Sequence, residues 1–275
     1  MTENARDFLR ALFGDEPFFG GLTRGAQTIP PRALLLTAIA SLVTGTGKTV
    51  RVLEVGSWVG CSALTWAYAI ERFGGTGEVL FVDPWSNYLS GDDLVEPGKY
   101  TDMELLLASG VAFDLFKHNV STGPASVPIR HHRGASRDIL RTLPASRFDI
   151  VYVDGSHYYD DVRADLIAAR SLVADNGILC GDDLELQLSP ALEPHARANM
   201  SRDFVACPQG PKYHPGVTLA IAEVLGPVSA SAGTWFMRKD GARFLPIADL
   251  GNARWFIPPH WPDDLKEGAA ALLGR

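Results

Sequence analysis

Four apolar runs in this chain end at a glycine turn or an acid: "TVRVLEVG" (49–56), "GEVLFVDPW" (77–85), "FDIVYVDG" (148–155) and "GILCGDDLE" (177–185). Each is short and apolar, as a buried strand is. "CSALTWAYAIERFG" (61–74), between the first two, has helical period and a glycine stop. Strand, helix, strand in so short a span is a βαβ unit, which makes neighbouring strands parallel and brings their carboxyl ends to one edge.

The same alternation continues along the chain. "PPRALLLTAIASLV" (30–43) predicts a helix with proline in its first turn, and "NARDFLRALFG" (4–14) a short amphipathic one. "DMELLLASGVAFDLFKHNV" (102–120) reads as helical and "NYLSGDDLVEPGKY" (87–100) as a loop or lid. A short strand in "VPIRHHRGAS" precedes a helix at "SRDILRTL", and Val162, Leu166, Leu172 and Val173 share one face of a later helix. A helix at "GVTLAIAEVL", a strand at "GTWFMRK" and an irregular stretch after Gly241 complete the chain. The expected fold is α/β: a Rossmann-like, doubly wound, mostly parallel sheet with helices on both faces and an N-terminal helical cap. The expected division is a cap at 1–48, a Rossmann-like domain at 49–240 and a tail at 241–275 packed on it.

Composition narrows the function classes. The formal net charge is −7 with no Lys/Arg cluster, which disfavours a nucleic-acid partner. The three cysteines are far apart, which argues against a disulfide framework or a zinc site. "ALLLTAIASLV" is too short to span a bilayer, and the acidic N-terminus is unlike a signal peptide. The expectation is a cytoplasmic chain with no membrane partner, forming a homo-oligomer, a dimer first.

The chemistry-bearing residues lie where the strands end. In "LEVGSWVGCSAL", Gly56 permits a tight turn, Gly60 permits close approach of a ligand or helix, and the helix start favours an anionic group. The G-x-x-x-G spacing differs from the G-x-G-x-x-G of dinucleotide enzymes, which counts against an NAD-dependent oxidoreductase. Asp83, closing the second strand, suits ribose hydroxyls. Asp154 and the pair Asp182-Asp183 close two later strands. Three carboxylates converging there need a cation, and all-oxygen ligation suits Mg²⁺, with Mn²⁺ and Ca²⁺ as alternatives. Asp160 and Asp161 fit a helix first turn; Tyr158 and Tyr159 fit either packing or a substrate wall. Cys180 reads as a small buried hydrophobe, and Trp58 and Trp85 as core residues that could offer an aromatic face.

"EVGSWVGCSAL", "VDPW", "RGASRDIL", "FDIVYVDGSHYYDDVRADL" and "GILCGDDLE", in that order, resemble the class I S-adenosylmethionine-dependent methyltransferases. Within them, the chain looks like the metal-dependent O-methyltransferases acting on catechols or on macrolide sugars. The resemblance implies that Glu54, Gly56, Ser57 and Gly60 form the methionine side of the cofactor pocket. It gives Ser62 to the cofactor carboxylate, Asp83 to the ribose, and Ala135 and Ser136 to the adenine. Asp154 would serve both cofactor and metal, with Asp182 and Asp183 as the other metal ligands. His157 stands where such enzymes carry a catalytic base, and histidine there leans toward the sugar branch. The implied activity is Mg-dependent methyl transfer to a hydroxyl of a small molecule, a sugar or natural-product intermediate; a catechol-type or hydroxylase-type tailoring enzyme is the alternative.

Overall fold

The computed structural model describes residues 9, 11–20, 27–89, 93, 101–208 and 210–274. The expected helix at 4–14 and loop at 87–100 lie outside these except at 9, 11–14, 87–89 and 93. The strands are β1 (Thr49–Val55), β2 (Thr76–Asp83), β3 (Ile129–Arg133), β4 (Phe148–Val153), β5 (Val173–Gly181), β6 (Val205–Ala206), β7 (Lys212–Tyr213), β8 (Ser229–Ser231), β9 (Thr234–Asp240) and β10 (Arg243–Pro246). The main sheet runs β10-β9-β5-β4-β1-β2-β3, with β8 beside β9. The five strands from β3 to β5 are parallel, and β9 joins β5 antiparallel.

Side-chain alternation splits the core in two. Val52, Phe81, Ile150, Tyr152 and Cys180 pack on one face of the sheet, and Leu53, Val82, Val151, Val153 and Leu179 on the other. Both faces are therefore dry over the central strands, which explains why their runs are mostly apolar. The Cys61–Arg72 helix covers the first face and the Tyr159–Leu172 helix the second. The Rossmann-like expectation matches this architecture.

Several boundaries move. The 102–120 helix is two, Thr101–Ala108 and Val111–Ser121, parted at Gly110 with φ +79°. Val173 opens β5 rather than extending the helix before it. The stretch after Gly241 is irregular only in part: β10 widens the main sheet and Asp263–Leu272 is a helix, with coil and turns between them. The Pro30–Val43 helix packs directly on the sheet: its Leu35, Leu36, Ile39 and Ala40 share a core with Val50 and Val52. Its Ala33 and Leu34 meet Trp261, Leu265 and Ala269 of the C-terminal segment. No helix among the described residues is long and apolar enough to cross a membrane.

His260 fastens that segment. Its Nε2 lies 3.0 Å from the Cys61 carbonyl and its ring stacks on Tyr68 at 5.2 Å, while Nδ1 is buried with no hydrogen-bond partner. Burial pushes its pKa down to about 3 from 6.5, because a second ring proton finds no acceptor. The unfolded chain thus takes up that proton first. The stabilisation is full above about pH 6.5 and is lost as pH falls toward 3, by up to about 1.4 kcal/mol per pH unit. Denaturant unfolding of wild type and His260→Gln between about pH 7.5 and about pH 5 should show a steeper acid loss in wild type; parallel curves would remove His260 from the account.

Candidate active site

The strand order reverses between β1 and β4, and ligands of open α/β sheets bind outside the carboxyl ends at such a point. The turns there are stitched together. Gly56 N donates to Val82 O (3.0 Å), Asp154 N to Val55 O (2.8 Å) and Asp182 N to Val153 O (3.3 Å). Gly56 has φ +81°, and a Cβ on it would stand 1.9 Å from the Asp154 carbonyl, so only glycine fits. A cleft of about 1080 Å³ opens above. Gly56, Ser57, Ser62, Asp83, Ala135, Ser136, Asp154, His157, Asp182 and Asp183 line it, which brings together most of the residues read from the sequence.

On one side the polar groups are largely committed to the turns. Asp83 accepts N–H bonds from Ser57 (2.8 Å), Trp58 (3.2 Å) and Trp85 (2.6 Å). A carboxylate offers roughly four such positions, so about one stays open for a ribose hydroxyl rather than a pair. Burial pushes the Asp83 pKa up, against these three bonds. Glu54 is fully buried beneath the cleft, where Ser62 Oγ (2.5 Å) and Trp66 Nε1 (2.7 Å) donate to it. Burial pushes Glu54 well above the usual carboxyl range, so it acts as an anchor for Ser62. Gly60 faces a helix rather than a ligand, since a Cβ there would meet Phe116 and Val120 at 3.2 Å. Ala135 caps the short Ser136–Ile139 helix, and Ser136 bonds Asp165, whose pKa burial raises to about 6.

The other side gathers charge. Asp154, Asp182, Asp183 and Glu185 meet Arg32, His157 and His214, with Asp203 behind. Arg32 Nη1 lies 3.2 Å from Asp182 Oδ2 and 3.0 Å from Asp183 Oδ1, and Nη2 lies 2.9 Å from Glu185 Oε1. His157 is bonded at both nitrogens, Nε2 to Asp183 Oδ2 (3.0 Å) and Nδ1 to Asp203 Oδ1 (2.7 Å). Burial opposes charge on His157, but the two carboxylates prevail and hold its pKa well above 6.5. A carboxylate on each ring nitrogen favours the imidazolium. The expected base needs a neutral ring with a free nitrogen, and this arrangement favours neither. Burial, then Asp183, lifts Asp154 to about 7 and Asp182 well above the usual range. Against burial, His157 holds Asp183 below it.

The expected metal set fits this arrangement poorly. Among the described residues, donor atoms within 4.8 Å of one another occur as Asp154-His157-Asp183, His157-Asp203-His214 and Asp183-Glu185-His214, and Asp182 is in none of them. The all-oxygen set Asp154-Asp182-Asp183 is not assembled, because Asp182 and Asp183 share the Arg32 guanidinium instead. Each assembled set includes a histidine already hydrogen-bonded to a carboxylate. The residues as placed therefore do not fit a hard, oxygen-ligated ion.

Arg32, Glu185, Asp203 and His214 were not singled out from the sequence. Arg32 sits in an ordinary helix start and finds its partners 150 and more residues away. Asp203 follows no strand, so no pattern marks it. The remaining candidates divide. Asp160 and Asp161 lie in the first turn of the Tyr159–Leu172 helix. Tyr158 donates to Asp93 at 3.1 Å, while Tyr159 packs beside the second core. Trp85 and Cys180 are buried in the core, and Trp58 reaches the cleft.

Residues 53–184 match the family model described as "Methyltransferase domain". O-methyltransferase ankF of Aspergillus thermomutatus is 31% identical over 137 residues, which cover 48% of this chain and 45% of that protein. The chain thus spans about half the length of that curated relative. Among solved structures, the O-methyltransferase TomG of Streptomyces achromogenes has 18% identity and TM-score 0.46, over 88% of this chain and all of that one (100%). The O-methyltransferase NovP has 15% identity and TM-score 0.49, over 76% of this chain and 79% of that one. The family match covers the glycine turn, Asp83, Asp154 and Asp182-Asp183 in one continuous stretch, so residues 53–184 of this chain are a methyltransferase domain.

Proposed function

We propose that the chain is an O-methyltransferase that moves the methyl group of S-adenosylmethionine to a hydroxyl of a small molecule, a sugar or natural-product intermediate. The observation that carries this is one cleft with the Gly56 turn and Asp83 at one end and the Asp154-His157-Asp183 wall at the other. The first end suits a nucleoside, and the second suits a group that must lose a proton.

When bound, S-adenosylmethionine supplies an electrophilic methyl on a positively charged sulfur. The chain's own part is to place an oxygen in line with it, remove the proton and stabilise the charge. Asp154, on the cleft wall and with its pKa raised to about 7, is the carboxyl group placed to accept a hydroxyl proton. The His157 imidazolium beside it offsets the negative charge that develops on the oxygen. Asp203 holds that ring by Nδ1 and is itself fully buried, so the ring's orientation is set from behind.

Calorimetry should show S-adenosylhomocysteine binding in the micromolar range, the order expected of a formed cleft of this size. Asp83→Ala should weaken it by about 1–3 kcal/mol and also lower Tm, since Asp83 holds the turn as well; unchanged affinity would remove Asp83 from the cofactor end. His157→Ala should cost about 10²-fold or more in kcat with cofactor affinity little changed. A near wild-type rate would show that the ring carries no charge role.

The protonation state has its own check. The ring NMR signals of His157 should titrate with a midpoint above 6.5, and Asp203→Asn, which deletes a carboxylate that raises it, should bring the midpoint down. A wild-type midpoint at or below 6.5 would return the ring to the role of a neutral base.

A further inference from the structure

The acidic ends of β4 and β5 require a positive charge, and the chain itself brings one there. We propose that Arg32 is the resident cation of this site, standing where a divalent ion would otherwise be needed, so that methyl transfer runs without a metal. The metal half of this inference rests on the donor geometry alone; the catalytic half rests on the O-methyltransferase reading above.

Arg32 is held from every side. Nε donates to Ala232 O at 2.6 Å, Nη1 to Asp182 (3.2 Å) and Asp183 (3.0 Å), and Nη2 to Glu185 (2.9 Å). The seat for the guanidinium is built into the β8–β9 turn. Gly233 has φ +93°, and a Cβ on it would lie 2.2 Å from Nη2, 2.7 Å from Cζ and 2.8 Å from Nε. The positive φ favours glycine there, and a Cβ would push the guanidinium from its seat. Gly233 O in turn accepts from Leu184 N at 2.8 Å, which fastens the seat to the residue after Asp183.

The other end of Arg32 is equally fixed. It follows Pro30 and Pro31 in the first turn of a helix whose Leu35, Leu36 and Ile39 are core residues. The side chain is 15% exposed, so moving it aside would strand a cation with few other partners. A divalent ion bound by Asp182 and Asp183 would stand beside this fixed positive charge, and both would compete for the same oxygens.

A guanidinium differs from a metal in what it does to the acceptor. Nε, Nη1 and Nη2 are already engaged by Ala232, Asp182, Asp183 and Glu185, so this guanidinium has no free pair of N–H groups to hold two adjacent oxygens of an acceptor. The acceptor class inferred is therefore one with a single reacting hydroxyl, with no need for a catechol or vicinal diol.

The test uses the full chain after chelator treatment and Mn²⁺ as the probe. Titration by electron paramagnetic resonance should leave the free-ion signal of Mn²⁺ undiminished with wild type and with Arg32→Lys. Arg32→Ala frees the oxygens, and Gly233→Ala displaces the guanidinium by its Cβ; each should gain Mn²⁺ binding by about tenfold or more. One tightly held Mn²⁺ per wild-type chain would overturn the proposal, and that arm needs no variant to fold and no acceptor to be known. Once an acceptor is turned over, the rate in excess EDTA should equal the rate with Mg²⁺, and a rate abolished by EDTA and restored by Mg²⁺ would overturn it too. Absence of any methyl transfer, by contrast, would count against the O-methyltransferase reading and leave the Mn²⁺ result to decide the cation.

Discussion

The packing of Arg32 among Asp182, Asp183 and Glu185 is the interaction on which the site depends. A parallel sheet delivers every strand end to one edge, and here β4 and β5 end in acids. Left to themselves, close carboxylates in a partly dry cleft cannot all ionise. The guanidinium relieves this in part, since one planar fork reaches three carboxylates and a carbonyl, while Asp154 and Asp182 keep raised pKa values. It also explains why the Pro30–Val43 helix belongs to the domain: its core face docks it, and its first turn carries the cation.

A consequence is the division of labour across the cleft. At the Gly56 end, buried acids are satisfied by backbone N–H groups or by Ser62 and Trp66, and they shape the turn. At the Asp154 end, protonation states are set by neighbouring charges. His157 draws its positive charge from Asp183 and Asp203, and Asp183 is held ionised by His157. Interactions of this kind are strong because water is partly excluded.

The sheet was legible because both faces of its central strands are buried, so β1, β2, β4 and β5 carry mostly apolar runs, and Gly56, Asp83, Asp154 and Asp182 stand at their ends. β10 and the Asp263–Leu272 helix were not legible. β10 is an edge strand with mostly exposed residues, and the helix buries only Leu265 and Ala269. In the site, the acids could be read but their partners could not. The need for a cation followed from Asp154, Asp182 and Asp183; that Arg32 supplies it depends on a contact across 150 residues. In the same way, spacing placed His157 at the rim of β4, while its protonation depends on Asp203, in a loop with no periodic signal.

The most direct test of the account is a crystal structure of the chain with S-adenosylhomocysteine. Adenine should lie against Ala135 and Ser136, a ribose hydroxyl should reach Asp83, and the sulfur should face the wall formed by Asp154 and His157. A nucleoside bound elsewhere, or a sulfur turned away from that wall, would contradict it.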